Sequence, residues 1–313
     1  MSQVIVVGAG NWGKNLVRNF HQLGALAGVA EANPDLLAQV RAQYPEVQTY
    51  ADFDSALAAD APALVIATPA FTHHKLALQA LEVGKDVFVE KPMTMRTEEA
   101  RQLAEYADQH QRVLMVGHLL LYQEAIAWMQ DYLASGEAGE VLHVATQRLK
   151  LGKVRTEENV WWSFAPHDIS VVLALLGNPP LESVKAQGQA ILQPSIADHV
   201  HVDLNFAGGK SAHVHCSWQW PEIQRSTVVV AQRQMLVYNE VTQTVTIYDK
   251  GVNPDLSHYD RGDREVKFED PAPLARECAH FLQCLQTREQ PRSNGWNGVA
   301  VVEILEKAQD NLL

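Results

Sequence analysis

Three glycines and one carboxylate are the first residues whose spacing suggests chemistry. Gly8, Gly10 and Gly13, in the run Gly8-Ala9-Gly10-Asn11-Trp12-Gly13, fit the pattern G-x-G-x-x-G. The run follows a short apolar segment, residues 4–7, and opens a segment of helical spacing. In that setting the first glycine permits a tight turn and the second lets the backbone approach a pyrophosphate. The third allows close helix–strand packing, and the helix N-terminus faces the anion. Glu31 ends the next apolar run, eighteen residues after Gly13. A carboxylate there accepts hydrogen bonds from ribose hydroxyls and repels a 2′-phosphate. No Arg or Lys follows it in Ala32-Asn33-Pro34. The expectation is a dinucleotide site that favours NAD over NADP, with Asn11 and Trp12 among the cofactor-binding residues.

His199, His201, His213 and His215 invite a metal reading. With Gly208-Gly209 as a two-residue hairpin turn, His201 faces Cys216 and His215 faces Val202. Side chains alternate along a strand, so the two histidine pairs then point to opposite faces. A one-residue bulge would change that. No metal is expected. The exposed face of such a sheet, with Trp218 and Trp220 nearby, reads as a subunit contact. Cys216, Cys278 and Cys284 cannot all pair within one chain and form no Cys-x-x-Cys, which points to free buried thiols in a reducing compartment.

The elements that must position these residues alternate in the first half. Apolar runs at 4–7, 26–31, 63–67, 86–90 and 113–116 read as strands. Helical spacing lies between them at 11–23, from Asn33-Pro34 onward, at 73–83, and after Thr97, which can cap a helix whose first turn holds Glu98 and Glu99. That rhythm implies a doubly wound parallel sheet covered on both faces. Beyond Tyr122 the rhythm changes. A helix at 123–134 and another at 167–176 precede strand-like segments at 199–206, 211–220, 224–230, 235–239 and 244–248. Helices at 273–287 and 296–311 close the chain. The fold class expected is α/β: a Rossmann domain over residues 1–121, then an α+β domain with a mainly antiparallel open sheet over 122–313.

Length and charge bound the function. The 313 residues carry a net charge of -12, which argues against a general nucleic-acid binder, since phosphate backbones need a basic surface. The opening MSQVIVVGAG has no basic start or long apolar run, and no stretch approaches the roughly 20 apolar residues of a bilayer span. A cytoplasmic protein without a membrane partner is expected.

Further motifs add a resemblance. Thr68-Pro69 follows one strand, His73 lies a few residues on, and Gly84-Lys85-Asp86-Val87-Phe88-Val89-Glu90-Lys91-Pro92-Met93 ends the next. This chain resembles the glucose-fructose oxidoreductase / inositol dehydrogenase (Gfo/Idh/MocA) family along its whole length. The resemblance implies that Thr68, Pro69, His73 and Glu90 line the cofactor, with Glu90 near the nicotinamide ribose and Lys91 beside the nicotinamide and the reacting hydroxyl. His167, in Phe164-Ala165-Pro166-His167-Asp168-Ile169, matches the family's acid/base histidine. Many members carry Asp four residues before it, where this chain has Ser163. Gly117-His118-Leu119-Leu120-Leu121-Tyr122, residues 151–159 and residues 162–168 resemble dehydrogenases of bacterial surface-polysaccharide pathways. Some of these oxidise C3 of a UDP-linked N-acetylated hexose or hexuronic acid. Relatives commonly form dimers or tetramers through the C-terminal sheet, so a homo-oligomer is implied.

Oxidising a secondary alcohol sends a hydride to nicotinamide and a proton to a base. The base must reach the hydroxyl, and a cation beside the oxygen stabilises its developing charge. His167 as base and Lys91 as the polarising cation divide these tasks, and the reverse assignment is also chemically sound. His118 follows a strand at the end where parallel sheets bind ligands, and with Tyr122 it is a substrate candidate. Arg148, Lys150, Lys153 and Arg155 form a cluster suited to a pyrophosphate or a sugar carboxylate. Asn159, Glu157, Ser163 and Asp168 are further substrate candidates. The alternatives are a dehydrogenase of free sugars or inositol-like polyols, and a non-catalytic regulator on the same fold.

Overall fold

The computed structural model describes residues 3–269 and 272–312. The chain divides into two compact units. One comprises residues up to Leu119 together with Ala272–Glu303, and the other Leu120–Pro271 with Ile304–Leu313.

The first unit begins β1 (Val4–Val7), α1 (Gly13–Gln22), β2 (Leu26–Ala30), α2 (Pro34–Gln43), β3 (Gln48–Tyr50) and α3 (Phe53–Leu57). It continues β4 (Ala63–Ile66), α4 (His73–Glu82), β5 (Asp86–Glu90), α5 (Thr97–Gln109) and β6 (Leu114–Gly117). The sheet order is β3-β2-β1-β4-β5-β6, with every pairing parallel. β1, β4, β5 and β6 are buried along their whole length, which explains why they read as unbroken apolar runs. Strand order reverses between β1 and β4, so the carboxyl ends of those strands frame the crevice where such sheets bind ligands. Two expected starts fare differently. Asn33 caps α2, accepting from the Asp35 and Leu36 amides, as expected. Thr97 is instead the first residue of α5, with Arg96 at the cap position.

The second unit contains α6 (Glu124–Ala134), β7 (Val141–Leu149), α7 (Val160–Leu176), β8 (Leu181–Gln189), β9 (His199–Phe206), β10 (Lys210–Ser217), β11 (Gln224–Ala231), β12 (Met235–Asn239), β13 (Thr244–Val252) and β14 (His258–Lys267). Its sheet runs β14-β13-β12-β11-β7-β10-β9-β8, antiparallel except for the β7–β10 pair. One face carries Val144, Val200, Val202, Leu204, Val214 and Cys216, all buried, and packs on α7. α7 starts at Val160, seven residues before the expected 167. Asn159 caps it through the Trp162 amide, and Pro166 lies inside it.

The closing helices are α8 (Pro273–Thr287) and α9 (Gly295–Gln309). α8 belongs to the first unit, so the second unit is not the continuous stretch 122–313 that the change in rhythm suggests. The reason is packing: Phe281 of α8 meets Phe20 and Phe88 edge-on, at 6.5 and 5.6 Å between centroids. Arg288, just past α8, grips Asp86 at 2.6 and 2.9 Å.

The hairpin register differs from the sequence reading. The connection is three residues, Ala207-Gly208-Gly209, with both glycines at positive φ. Phe206 therefore pairs with Lys210, and His201 faces His215 directly. A one-residue change of register turns every side chain to the other face. All four histidines consequently share the face opposite α7, and the expected split into two pairs on opposite faces does not occur.

Candidate active site

The glycine turn joins β1 to α1. Gly8 has φ +94°, and a Cβ there would come within 2.7 Å of the Ala67 carbonyl oxygen. A Cβ on Gly13 would meet the Gly8 carbonyl oxygen at 2.0 Å. Gly10 is different: nothing lies within 4 Å of where its Cβ would be. That space, in front of the α1 N-terminus, is the room a pyrophosphate needs. α1 also starts without a side-chain cap or a first-turn acid, unlike the capped α2. Its first amides suit an outside anion. Gly10 and Asn11 line a cavity of about 380 Å³ that Lys14 and Arg18 also border.

Glu31 follows β2 and reaches back to this turn. Its carboxylate accepts the Ala9 amide at 2.7 Å and the Asn33 amide at 2.8 Å. A carboxylate has about four acceptor sites, so two remain for ribose hydroxyls. These residues fit a bound NAD.

The end of β5 holds the chemistry. Glu90 is buried and accepts the Trp12 indole N–H at 2.5 Å and the Lys91 amide at 3.2 Å. Burial raises its carboxyl to about 7, against the pull of Lys91 and Trp12. Lys91 precedes Pro92 across a cis peptide bond. His118, just past β6, is fully buried, and its Nδ1 lies 2.6 Å from Asn297 Oδ1. Burial lowers its imidazole to about 4; Asn297 opposes this and the Lys91 charge adds to it. Its Nε2 has no partner among the described residues. His73 is also buried, with Nδ1 2.8 Å from the Pro92 carbonyl and Nε2 2.9 Å from the Thr68 carbonyl. Burial, then the Lys91 charge, favours its neutral ring, while the two carbonyls oppose that.

In the second unit, Ser163 and His167 lie four residues apart on α7, which puts them on one face of the helix. Arg148 is held by Asp168 at 2.7 and 3.2 Å and by Glu240 at 3.0 Å, and Arg225 reaches Glu240 at 2.9 Å. Burial works against the Arg148 charge, and the two carboxylates more than offset it. Lys150 lies 5.5 Å from the Phe164 ring centroid. Burial lowers its ammonium, with Arg225, Arg148 and Arg155 adding positive field.

Comparison with known proteins agrees with this geometry. Residues 2–118 match the oxidoreductase family with an NAD-binding Rossmann fold, and residues 126–237 match the GFO/IDH/MocA C-terminal domain. The chain belongs to the GFO/IDH/MocA family. It is 27% identical to a UDP-N-acetylglucosamine 3-dehydrogenase of Acidithiobacillus ferrooxidans, over 95% of this chain and 93% of that one. A solved structure of UDP-N-acetylglucosamine 3-dehydrogenase GnnA from the same organism superposes with a TM-score of 0.88 at 25% identity, covering 99% of this chain and 97% of that one. A scyllo-inositol 2-dehydrogenase (NAD(+)) of Bacillus subtilis is 25% identical over 73% of this chain and 69% of its own.

As a GFO/IDH/MocA protein it is an NAD-dependent oxidoreductase, and no described helix is long and apolar enough to cross a membrane. Several sequence candidates in the second unit are held by neighbouring side chains. Asp168 pairs with buried Arg148, so its carboxylate serves the sheet–helix interior. Asn159 caps α7, and its amide donates to Gln309 at 2.7 Å, so both ends of the side chain are occupied. Arg148 leaves the proposed cation cluster for the same reason as Asp168, while Arg155 remains exposed beside Glu158 at 3.5 Å. In the first unit, the His73 ring ties together the two turns that carry Thr68-Pro69 and Lys91-Pro92. Tyr122 is buried.

Sequence reading missed Glu277 and Asn297. Glu277 on α8 is fully buried, and its carboxyl oxygens have no partner among the described residues. Burial, then the Glu90 charge, raises its carboxyl well above the usual range. The signal was available: Glu277, Phe281 and Cys284 are spaced i, i+4, i+7, which puts an acid on an apolar helix face.

Proposed function

We propose that the protein oxidises a secondary hydroxyl of a sugar carried on a nucleoside diphosphate, at C3 of a UDP-linked N-acetylated hexose or hexuronic acid. The observation that carries this reading is the end of β5. Lys91 stands among Glu90, His73 and His118, groups whose ionised forms burial disfavours. A cation in such surroundings acts strongly on an oxygen that gains negative charge. NAD, when bound, would supply the hydride acceptor. Lys91 orients and polarises the hydroxyl oxygen, and His167 takes its proton. The α1 N-terminus would hold the cofactor's pyrophosphate, and Glu31 its adenosine ribose. Lys150 and Arg155 supply charge for the sugar's own diphosphate. The UDP-N-acetylglucosamine 3-dehydrogenase relative supports the same substrate class.

A free sugar or polyol is the second reading. It is favoured by the loss of Arg148 to the internal network and by the inositol dehydrogenase relative. NADH absorbance separates the two, using UDP-N-acetylglucosamine, its uronic acid, free glucose and myo-inositol, with an aminotransferase to trap the ketone. Turnover of a UDP-sugar alone is expected. Turnover of free glucose or myo-inositol alone would replace the first reading by the second.

A further inference from the structure

The register of the β9–β10 hairpin gathers histidines that neither hydride transfer nor the dinucleotide uses. His199 and His201 project from β9, and His213 and His215 from β10, on the face opposite α7. The Nε2 of His199 lies 2.9 Å from that of His201 and 3.2 Å from that of His215. One ligand nitrogen from each of these three rings lies within 4.8 Å of the others. A tetrahedral zinc ion with Zn–N near 2.0–2.1 Å holds its ligand nitrogens roughly 3.3 Å apart, close to these contacts. The approach is therefore already near that of a coordination sphere.

Hydrogen bonding alone does not satisfy the cluster. Asp203 Oδ1 lies 2.7 Å from His213 Nδ1, which makes that nitrogen the donor. In a neutral ring so oriented, His213 Nε2 is the acceptor that faces His201 Nδ1 at 3.5 Å, the long end of a hydrogen bond. That arrangement makes His201 Nδ1 the donor and leaves the Nε2 that faces His199 with its lone pair. A single N–H on His199 Nε2 cannot serve both His201 and His215, whereas one cation serves all three nitrogens. An orienting carboxylate–histidine chain behind a ligand ring is the usual support of a metal-bound imidazole. Burial also favours the neutral, ligating form of all three rings. Trp220 closes one side, stacked on His199 at 5.9 Å and edge-on to His215 at 5.7 Å.

We propose that His199, His201 and His215 form a site for a divalent transition-metal ion of the zinc type, with His213 and Asp203 orienting His201. The fourth position is open to solvent or a small ligand. The site lies on the sheet face away from α7 and its His167, so it has no part in the hydride step.

The test uses the full chain, freed of any affinity tag, stripped with chelator and titrated with Co²⁺ and Zn²⁺. Metal content, the Co²⁺ ligand-field absorption and tryptophan fluorescence are read together. One metal ion per chain, tetrahedral or five-coordinate Co²⁺ bands and quenched fluorescence are expected. His201→Gln and His215→Gln should each abolish stoichiometric uptake. His213→Gln should weaken it roughly 10–100-fold. Trp220→Phe should retain uptake and lose most of the quenching. His199, His201 and His213 are half-buried and His215 is buried, so unchanged NAD binding and circular dichroism are required to verify folding in each variant. No stoichiometric uptake by the wild-type chain, or uptake that survives His199→Gln with His215→Gln, would overturn the proposal.

Discussion

The carboxyl end of β5 and the junction of β7 with α7 both bury charged side chains, yet they resolve the cost in opposite ways. At the junction, Arg148, Asp168, Glu240 and Arg225 pair among themselves, so every charge has a partner of opposite sign. Around the end of β5, Glu90 and Glu277 are two buried acids without a paired cation of that kind: burial raises both carboxyls, and the Glu90 charge raises that of Glu277 further. Nearby, His118 keeps a ring nitrogen with no described partner. A self-satisfied network serves the fold. A neighbourhood of strained protonation states costs stability and is kept where chemistry needs it. The contrast sets Asp168, a substrate candidate in sequence but held here by Arg148, apart from Lys91, the stronger catalytic candidate.

Substitutions can break or sharpen this contrast. The largest effect is expected at Lys91. Lys91→Ala should lower kcat by about 10³-fold, about 4 kcal/mol, with NAD affinity and melting temperature nearly unchanged. Steady-state kinetics beside a thermal melt would check both halves of that statement. The junction should behave in reverse. Arg148→Met leaves Asp168 and Glu240 buried without their cation and should cost about 3–5 kcal/mol in urea unfolding, while NAD affinity persists.

Glu90 comes next. Its carboxyl rises from 4.5 to about 7 on folding, so the folded chain holds a proton that the unfolded chain releases. This contribution is fully present below the unfolded value and is lost as pH rises through 7. Between about pH 5 and about pH 8 the loss is on the order of 2 kcal/mol, and Glu90→Gln should remove it. The part due to Glu277 has the same sign and should remain in that variant. Urea titrations across this range would reveal the difference in slope. The smallest effect is expected at Gly10. Gly10→Ala places a methyl group in the open phosphate space and should weaken NAD about tenfold, about 1.4 kcal/mol, with no change in melting temperature.

How much of this was legible in the sequence follows from the same physics. The core strands of the parallel sheet were readable because they are buried on both faces, and the G-x-G-x-x-G run fell at the expected turn. The cofactor candidates Gly8, Gly10, Gly13 and Glu31 lie together for that reason. β8 and β14 were not legible: as edge strands, LESVKAQGQ and HYDRGDREVK carry polar and charged residues on both faces and show no apolar alternation. The start of α7 was missed because Pro166 reads as a helix boundary. The histidine face was missed through one residue of turn length, since Gly208-Gly209 suggests a two-residue turn and Ala207 joins it. Roles such as those of Asn159 and Asp168 depend on partners 150 and 20 residues away, Gln309 and Arg148, which no local pattern reveals.

The central claim is hydride transfer from a sugar carbon to NAD, and it can be followed by label. The protein would be incubated with NAD and UDP-N-acetylglucosamine deuterated at C3, and the nicotinamide product analysed by mass. The account predicts NADH that carries the deuterium, with initial formation slowed about 10³-fold in Lys91→Ala. Tight NAD binding with no deuterium transferred, from this sugar or any other of the panel labelled at its carbinol carbons, would contradict it.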